Sequence, residues 1–249
     1  LQGIKVPNAE VLEKGFRYDR RWMLVDETGN FITQRNDPTL SQFKIGTDSV
    51  GIRVSLGDDQ LHIPYEITNG DTITVRIWDD QVSALLADTA INQWFSNHMG
   101  QAVNLVFLPE ASPRPIDSTS SSQTTHVSLA DGLPYLILGE NAMEELNRRM
   151  ETPLPILRFR PNIVFTGGNP NEEDHWEHFN IGSVPFKGIK PCVRCVFTTI
   201  DQETGIKGKE PLKTLATYRS VDKGVIFGLN AIAEKSGIIR VGDDIQVQN

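Results

Sequence analysis

The sequence predicts an α+β protein that is mainly β, with two β-rich domains and a few helices. Short segments in which apolar and polar residues alternate recur through the first hundred residues, separated by Gly- and Asp-containing turns. Helical periodicity is restricted to a few short segments with Gly or Pro near their ends. A stretch rich in Pro, Ser and Thr at residues 109–125 separates the halves, so we place the domains at residues 1–115 and 116–249.

The first half is predicted to consist of antiparallel hairpins. Residues 21–25 form the first strand, and a turn at residues 26–30 leads into a return strand at residues 31–33. Asp-containing turns at residues 57–59 and 79–80 join two further hairpins. The strands of these hairpins are predicted at residues 52–56 and 61–63, and at residues 72–78 and 82–86.

A helix is predicted over residues 88–100. Asp88 is a residue type that favours the N-cap, and Gly100 favours the C-terminal end. Apolar side chains recur at i, i+3, i+4 and i+8 from Ile91, which places them on one face of the helix. We interpret this partly aromatic face as core packing and not as a cofactor-binding surface. An apolar segment at residues 103–108 follows and ends at Pro109.

The second half returns to short strands after a segment that we interpret as an interdomain linker or as a mobile loop over a site. This segment contains three prolines and a Ser/Thr-rich run at residues 118–125. A helix is predicted at residues 141–150, and a third, short helix begins at Glu210 with Pro211 in its first turn. Strands are predicted at residues 136–138, 163–165, 186–189, 196–200 and 238–247, the last with a turn at residues 242–243.

The composition restricts the classes of partner. A net charge of −8 over 249 residues argues against nucleic acid, because binding a phosphate backbone requires a basic face. Two cysteines do not make a disulfide framework, so we expect a reducing, cytoplasmic location. No apolar run approaches the length of a membrane span, so we expect no membrane partner.

Cys192 and Cys195 form a Cys-x-x-Cys pair that permits four interpretations. A redox pair usually lies at a helix N-terminus, whereas the β-branched and aromatic residues 196–200 predict a strand, so we discount this interpretation. The pair could complete a Cys2His2 zinc site with His175 and His178, or it could be two structural thiols. The surrounding residues favour the fourth interpretation, in which one thiolate is a ligand of a cofactor metal.

Arginines near these thiols point to an anionic ligand. Arg160 precedes Pro161, which predicts an extended backbone, and Arg194 lies between the two thiols. Arg20 is a third candidate, although an Arg beside an Asp is more often part of a local ion pair. Arg grips phosphate with a planar fork of donors, so a soft metal held beside a phosphate is the predicted ligand.

Other catalytic patterns do not occur in the sequence. Ser-His-Asp spacing, a P-loop and a dinucleotide-binding Gly pattern are all absent. Asp201 could act as an acid or a base, but Asp at the end of a strand is most often a turn residue.

Several motifs in the second half together resemble the MOSC domain of molybdenum cofactor enzymes. They are Phe-Arg-Pro-Asn at 159–162, Cys-Val-Arg-Cys at 192–195, Thr-Thr-Ile-Asp at 198–201 and Lys-Glu-Pro-Leu at 209–212. Arg-Arg-Trp-Met-Leu-Val at 20–25 resembles the opening of the β-barrel-like N-terminal MOSC domain. The resemblance implies a C-terminal MOSC β-barrel with a few helices after an N-terminal MOSC domain, as in bacterial YcbX-type proteins and mitochondrial amidoxime-reducing components.

The resemblance also implies a molybdenum cofactor, Mo-molybdopterin, with Cys195 as its metal ligand and as the catalytic residue. By motif position, Cys192 would be a neighbour that does not bind the metal. The residues that would hold the pterin and its phosphate are Arg20, Arg160, Asn162 and Arg194. Val193 stands where relatives can carry a Ser, and Asn230 where they can carry a Tyr, which weakens polar contacts to the cofactor.

The implied activity is two-electron reduction of N-hydroxylated compounds, such as amidoximes, hydroxylamines and N-hydroxylated bases. Electrons would come from a separate donor protein, a reductase or a ferredoxin-like protein, because two cysteines cannot hold a four-Cys iron–sulfur cluster. The alternatives are a non-catalytic module that carries a sulfur or pterin species, and a zinc-stabilised structural protein that uses Cys192 and Cys195. Pyridoxal phosphate is kept as a further candidate ligand.

Relatives of this type carry a Tyr-Pro-Ile-Lys-Ser-type strand immediately before the position of Leu1, and its Lys and Ser contact the cofactor. The sequence begins just after that position, so we infer that it is a truncated fragment or that this segment has been left out of it. We therefore expect a cofactor-free structure in which the missing strand is disordered, because the anion that orders it is absent.

Overall fold

The computed structural model describes residues 3–116, 125–222 and 224–248. Strands predominate in these residues and helices are few, which confirms the mainly-β α+β class. Residues 118–124 of the predicted Ser/Thr-rich run lie outside the described residues. The interpretation of that run as a linker or as a loop over a site therefore stays a prediction.

Two antiparallel sheets and one helix form most of the first half. The elements are β1 (Asn8–Leu12), β2 (Gly15–Phe16), β3 (Trp22–Val25), β4 (Lys44–Thr47), β5 (Gly51–Leu56), β6 (Asp59–Pro64), β7 (Thr72–Ile77), β8 (Asp80–Leu86), α1 (Thr89–Met99) and β9 (Asn104–Phe107). A 3-10 helix lies at Pro38–Ser41. One sheet has the order β3-β9-β8-β7, and the other has the order β4-β5-β6.

Helix α1 closes the core between these two sheets. The Asp88 side chain accepts a hydrogen bond from the Ile91 amide at 2.9 Å, and Gly100 ends the helix in the left-handed conformation with φ 64°. Ile91 and Phe95 are buried and pack with residues of both sheets, such as Leu24 and Val54. The predicted caps and the predicted core face of this helix are therefore confirmed.

A larger sheet organises the second half. The elements are β10 (Pro115–Ile116), β11 (Thr125–His126), β12 (Tyr135–Gly139), α2 (Glu140–Arg148), β13 (Ile163–Phe165), β14 (His178–Ile181), β15 (Val184–Val193), α3 (Leu212–Leu215), β16 (Ser220–Val221), β17 (Gly224–Ala233), β18 (Gly237–Arg240) and β19 (Ile245–Gln248). Further 3-10 helices lie at Ile156–Phe159, Glu172–His175 and Val196–Thr199. The sheet has the order β13-β12-β17-β15-β14-β19, with β16 paired to β17.

Strands β15 and β17 are the longest strands of this sheet, and one glycine allows the close pairing of β17 with β12. Gly228 has φ 80°, and a Cβ atom there would lie 2.7 Å from the carbonyl oxygen of Ile137. Beside it, β15 has register irregularities near its end at Val193. The Arg194 amide still donates to the Val225 carbonyl of β17 at 2.7 Å, and Cys195 then precedes the 3-10 helix at Val196–Thr199.

The start of the chain packs with the second half. Strand β1 pairs with β18, and the buried Val11 belongs to the same hydrophobic cluster as Tyr135 and Phe186. The division at residues 115 and 116 stays a prediction, and any such division leaves β1 in a sheet with a C-terminal strand.

Most predicted hairpins and helices are present, and three predictions of strands or helix bounds are wrong. Residues 31–33 form no strand: Phe31 makes an isolated bridge to Val25, and its amide donates to the Arg76 carbonyl of β7 at 3.1 Å. Residues 196–200 are not a strand. Strands are present on both sides of a turn within residues 238–247, and β18 and β19 pair with different strands, β1 and β14. The third helix begins at Leu212, two residues after the predicted start.

Candidate functional site

The four residues predicted to hold a cofactor lie together, although they are distant in the sequence. The Arg20 Nη2 atom donates a hydrogen bond to the Arg160 carbonyl at 3.2 Å. Asn162 Nδ2 donates to Asp19 Oδ2 at 2.7 Å. Arg194 Nη2 donates to the Phe159 carbonyl at 2.7 Å. The segment from residue 159 to residue 162 is therefore the meeting point of both halves of the chain.

Two of these arginines have an unusual backbone conformation. Arg20 has φ 51° and Arg160 has φ 57°, both in the left-handed region. The extended backbone predicted for Arg160 is wrong, because this residue ends the 3-10 helix at Ile156–Phe159 instead of continuing a strand. Non-glycine residues in the left-handed region are uncommon and cluster at ligand-binding sites.

The arginines concentrate positive charge that the local acid does not fully neutralise. Burial lowers the pKa of Arg160 to about 10, with a further contribution from the nearby Arg20 charge and an opposing one from Asp19. The Nε atom of Arg194 is buried and has no hydrogen-bond partner in the described residues. Because an anion would satisfy such groups, the cluster suits a phosphate ligand.

Asn162 connects the anion-binding cluster to the sheet. Its Oδ1 atom accepts a hydrogen bond from the Leu136 amide at 3.0 Å, and its own amide donates to the Leu136 carbonyl at 2.9 Å. Its Nδ2 atom reaches Asp19, which also pairs with Arg20. Asn162 therefore fixes the position of Arg20 relative to strand β12.

The two cysteines are free and have different surroundings. Cys195 is exposed, and its Sγ atom accepts a hydrogen bond from Arg35 Nη2 at 3.5 Å. Cys192 is half-buried, and its Sγ atom accepts from Arg194 Nη1 at 3.1 Å. Cys195 is the more exposed of the two residues, and its assignment as the metal ligand stays a prediction.

Cys195 precedes a 3-10 helix at Val196–Thr199, not the predicted strand. Its carbonyl accepts from the Thr198 amide at 3.2 Å and from the Thr198 hydroxyl at 3.0 Å. The premise used to discount a redox pair is therefore wrong. The helix is a single 3-10 turn, and the two thiols face different guanidinium groups.

Sequence reasoning missed Arg35. Its guanidinium pairs with the Asp131 carboxylate and lies 5.1 Å from the Trp78 ring centroid and 5.7 Å from that of Phe197. Burial lowers the pKa of Arg35, but Asp131 and Cys195 raise it overall, so the group stays charged. The sequence carries no signal for this contact, because Arg35 and Cys195 are 160 positions apart.

The structure contradicts the zinc alternative. The described residues contain no group of three or more His, Cys, Asp or Glu side chains that could hold a metal ion, and all four predicted ligands are described. His178 Nδ1 lies 3.6 Å from Glu234. His175, His178, Cys192 and Cys195 therefore do not form a Cys2His2 site.

Asp201 acts as a turn residue, as its position predicted. Its Oδ1 atom accepts hydrogen bonds from the amides of Glu203 at 3.1 Å and Thr204 at 2.9 Å. Its Oδ2 atom accepts from the buried Arg158 at 2.8 Å. The Thr204 hydrogen bonds lower the pKa of Asp201.

The described residues fit an anionic cofactor with a soft metal. An exposed thiol stands beside a guanidinium, and a second guanidinium has an unsatisfied buried nitrogen. Arg20 pairs with the Asp19 carboxylate, whose charge also acts on Arg160. The two departures from the family pattern are Val193, which is exposed, and Asn230, which lies on β17 opposite Leu136.

Comparison with known proteins identifies both halves of the chain. A model of the MOSC domain matches residues 124–246, and a model of the MOSC N-terminal beta barrel domain matches residues 1–102. Mitochondrial amidoxime-reducing component 1 of Mus musculus is 34% identical over 264 residues, which are 98% of this chain and 77% of that protein. Mitochondrial amidoxime reducing component 2 of Bos taurus is 34% identical over 98% of this chain and 78% of that protein.

The expected cytoplasmic location is wrong, because these relatives are named mitochondrial components. The names of the relatives also give no support to pyridoxal phosphate as a ligand. Among the described residues, the helices are too short or too polar to span a bilayer.

Proposed function

This chain belongs to the MOSC domain family that includes the mitochondrial amidoxime-reducing components, and we propose that it is a molybdenum-cofactor-dependent reductase of N-hydroxylated compounds. The assignment as a reductase of N-hydroxylated substrates rests on relatives that match 98% of the chain. The dependence on molybdenum rests on the exposed Cys195 beside the arginine cluster. That juxtaposition of a cysteine sulfur and guanidinium groups carries the proposal.

Each residue of the site has a separate role in holding the cofactor. The Cys195 thiolate would be the protein ligand of molybdenum, and Arg20, Arg160 and Arg194 would bind the pterin phosphate. Asn162 would hold Arg20 in place through Asp19. When bound, the cofactor supplies the two-electron reduction that breaks the N–O bond of the substrate, and the protein supplies binding and orientation.

Electrons would reach the site from a separate donor protein, a reductase or a ferredoxin-like protein. The chain has two cysteines, and Cys195 is committed to the metal in this proposal. A four-Cys iron–sulfur cluster therefore cannot form within the chain. The exposure of Cys195 leaves the site open to a small substrate.

The test compares two cysteine variants of the protein made in a host that synthesises the cofactor. Molybdenum and pterin content are measured in the purified protein, together with reduction of an amidoxime by an artificial reductant. Cys195→Ser is expected to lose reductase activity, because a serine oxygen replaces the soft sulfur ligand. Cys192→Ser is the matched control and is expected to keep both metal and activity.

Retention of full activity by Cys195→Ser would contradict the ligand assignment. Wild-type protein that contains pterin, and transfers it or a sulfur once without catalytic turnover, would favour the alternative of a non-catalytic carrier. Stoichiometric molybdenum with repeated turnover would favour the reductase. These measurements separate the two candidates in one preparation.

A further inference from the structure

Arg35 is the residue of the first half that reaches the Cys195 sulfur. Its Nη2 atom lies 3.5 Å from Cys195 Sγ. The same nitrogen donates to Asp131 Oδ2, while Nη1 lies 3.5 Å from Asp131 Oδ1. We propose that Arg35 is a positioning residue of the candidate site, which orients the Cys195 sulfur and presents positive charge to the anion bound there. The identity of that anion rests on the proposed function.

The guanidinium of Arg35 is held by more contacts than a surface ion pair would provide. Its side chain is 21% exposed, and aromatic rings of Trp78 and Phe197 lie within 6 Å of it. Cation–π contacts of this kind restrict a guanidinium to the ring faces. Phe197 belongs to the 3-10 helix that begins after Cys195, so the contact couples Arg35 to the segment that carries the sulfur.

Trp78 is the second aromatic neighbour of Arg35, and the tight turn between β7 and β8 fixes its place. It has φ 55°, and 47% of its surface is exposed. A two-residue hairpin turn requires a positive φ at its first central residue, a position that a bulky residue rarely fills. The conformation nevertheless places the indole against Arg35 and against Phe31, whose ring centroid lies 5.0 Å away. The hairpin turn between β7 and β8 thereby supports the guanidinium.

Lys could not reproduce these contacts. A guanidinium donates in two directions from one plane and stacks on aromatic rings, whereas an ammonium is a compact point charge. Arg35→Lys therefore keeps the charge but loses the fork that spans Asp131 and Cys195. Arg35→Gln removes the charge and leaves a shorter side chain with an amide donor.

The test uses cofactor-free, full-length protein and two alkylating reagents of different charge. The rate of Cys195 alkylation by iodoacetate, an anion, is divided by the rate with neutral iodoacetamide at the same pH. The ionised fraction of the thiol enters both rates and cancels, so the ratio reports the local potential at the sulfur. Trypsin cleaves after Arg194 and places Cys192 and Cys195 on different peptides, so both thiols are followed in one experiment.

Arg35→Gln is expected to lower this ratio at Cys195 by about fivefold, the factor for unit charges about 4 Å apart in water. The ratio at Cys192 is expected to stay constant, because Arg194 contacts that thiol. Arg35→Lys is expected to lower the ratio at Cys195 by less than Arg35→Gln does, because the positive charge is kept. Arg53→Gln is the matched control, since Arg53 is exposed on β5 and lies beside Asp48.

A ratio at Cys195 that is unchanged in Arg35→Gln would overturn the proposal. A second readout uses protein made in a cofactor-competent host: the Mo(V) electron paramagnetic resonance spectrum is expected to change in Arg35→Gln and not in Arg53→Gln, because the orientation of the ligand sulfur changes. Wild-type protein without molybdenum would refute the proposed function, whereas the alkylation ratio would still decide the role of Arg35.

Discussion

Glu173 lies outside the candidate site and carries a fully buried carboxyl group. One of its oxygens accepts a hydrogen bond from the Gly139 amide at 3.2 Å, and Oε2 is buried without a partner in the described residues. Burial raises the pKa of Glu173, and the Asp174 charge adds to this, while the Gly139 hydrogen bond and Arg219 act in the opposite direction. The folded protein therefore binds this proton more tightly than the unfolded chain.

A pH dependence of stability follows from this raised pKa. Above the ordinary value of 4.5, the unfolded chain releases the Glu173 proton first, so wild-type stability falls as pH rises from 4.5 to the folded pKa. Glu173→Gln removes this penalty and keeps an oxygen acceptor for Gly139. The free energy of unfolding of Glu173→Gln is expected to increase relative to that of the wild type as pH rises. Urea denaturation between about pH 4 and pH 8 measures this difference.

The control for this measurement is Glu144→Gln, the same substitution at an exposed position of α2. We expect that variant to show no comparable change relative to wild type across the pH range. An equal stability difference between Glu173→Gln and wild type at every pH would contradict the assignment of a raised pKa to Glu173.

At the scale of elements, α1 depends on a local cap. Asp88→Ala removes the hydrogen bond to the Ile91 amide and is expected to destabilise the protein by about 1 kcal/mol. Thermal unfolding followed by circular dichroism should show a midpoint about 3 °C lower, the shift expected for a chain of this length. Asp58→Ala, in the exposed turn between β5 and β6, should leave the midpoint in place. Equal thermal unfolding midpoints for the Asp88 and Asp58 variants would contradict the assignment of Asp88 as the helix cap.

The elements that could be predicted are those specified by neighbouring residues. The hairpins β5–β6 and β7–β8 and helix α1 have their turn residues or caps beside them in the sequence. Strand β17 was missed, because buried residues occur consecutively along it and period-2 alternation is absent. Residues 196–200 have the composition of a strand, but the hydroxyls of Thr198 and Thr199 bond to carbonyls three residues back.

At the scale of the whole molecule, the candidate site exists because the two halves fold against each other. The sequence motifs identified Arg160, Arg194 and Cys195 in the second half, and a shorter motif identified Arg20 in the first. Their approach could not be predicted from spacing, because contacts such as Arg20 to Arg160 span 140 positions. Arg35 was missed for the same reason. Motifs thus indicate which chemistry a chain carries, and the fold decides which further side chains reach it.

The same long-range packing makes the first strand a part of the second half's core. Val11 has no exposed surface and packs with Tyr135, Phe179 and Phe186. Val11→Ala removes two methyl groups from this cluster and is expected to destabilise the protein by about 2 kcal/mol. Hydrogen exchange followed by mass spectrometry should show faster exchange in β12 and β17, which lie beside this cluster and far from residue 11 in the sequence. Val50→Ala, at a position that is 65% exposed, should leave exchange unchanged. Faster exchange confined to residues 8–16 would mean that β1 is a peripheral strand whose loss the large sheet tolerates.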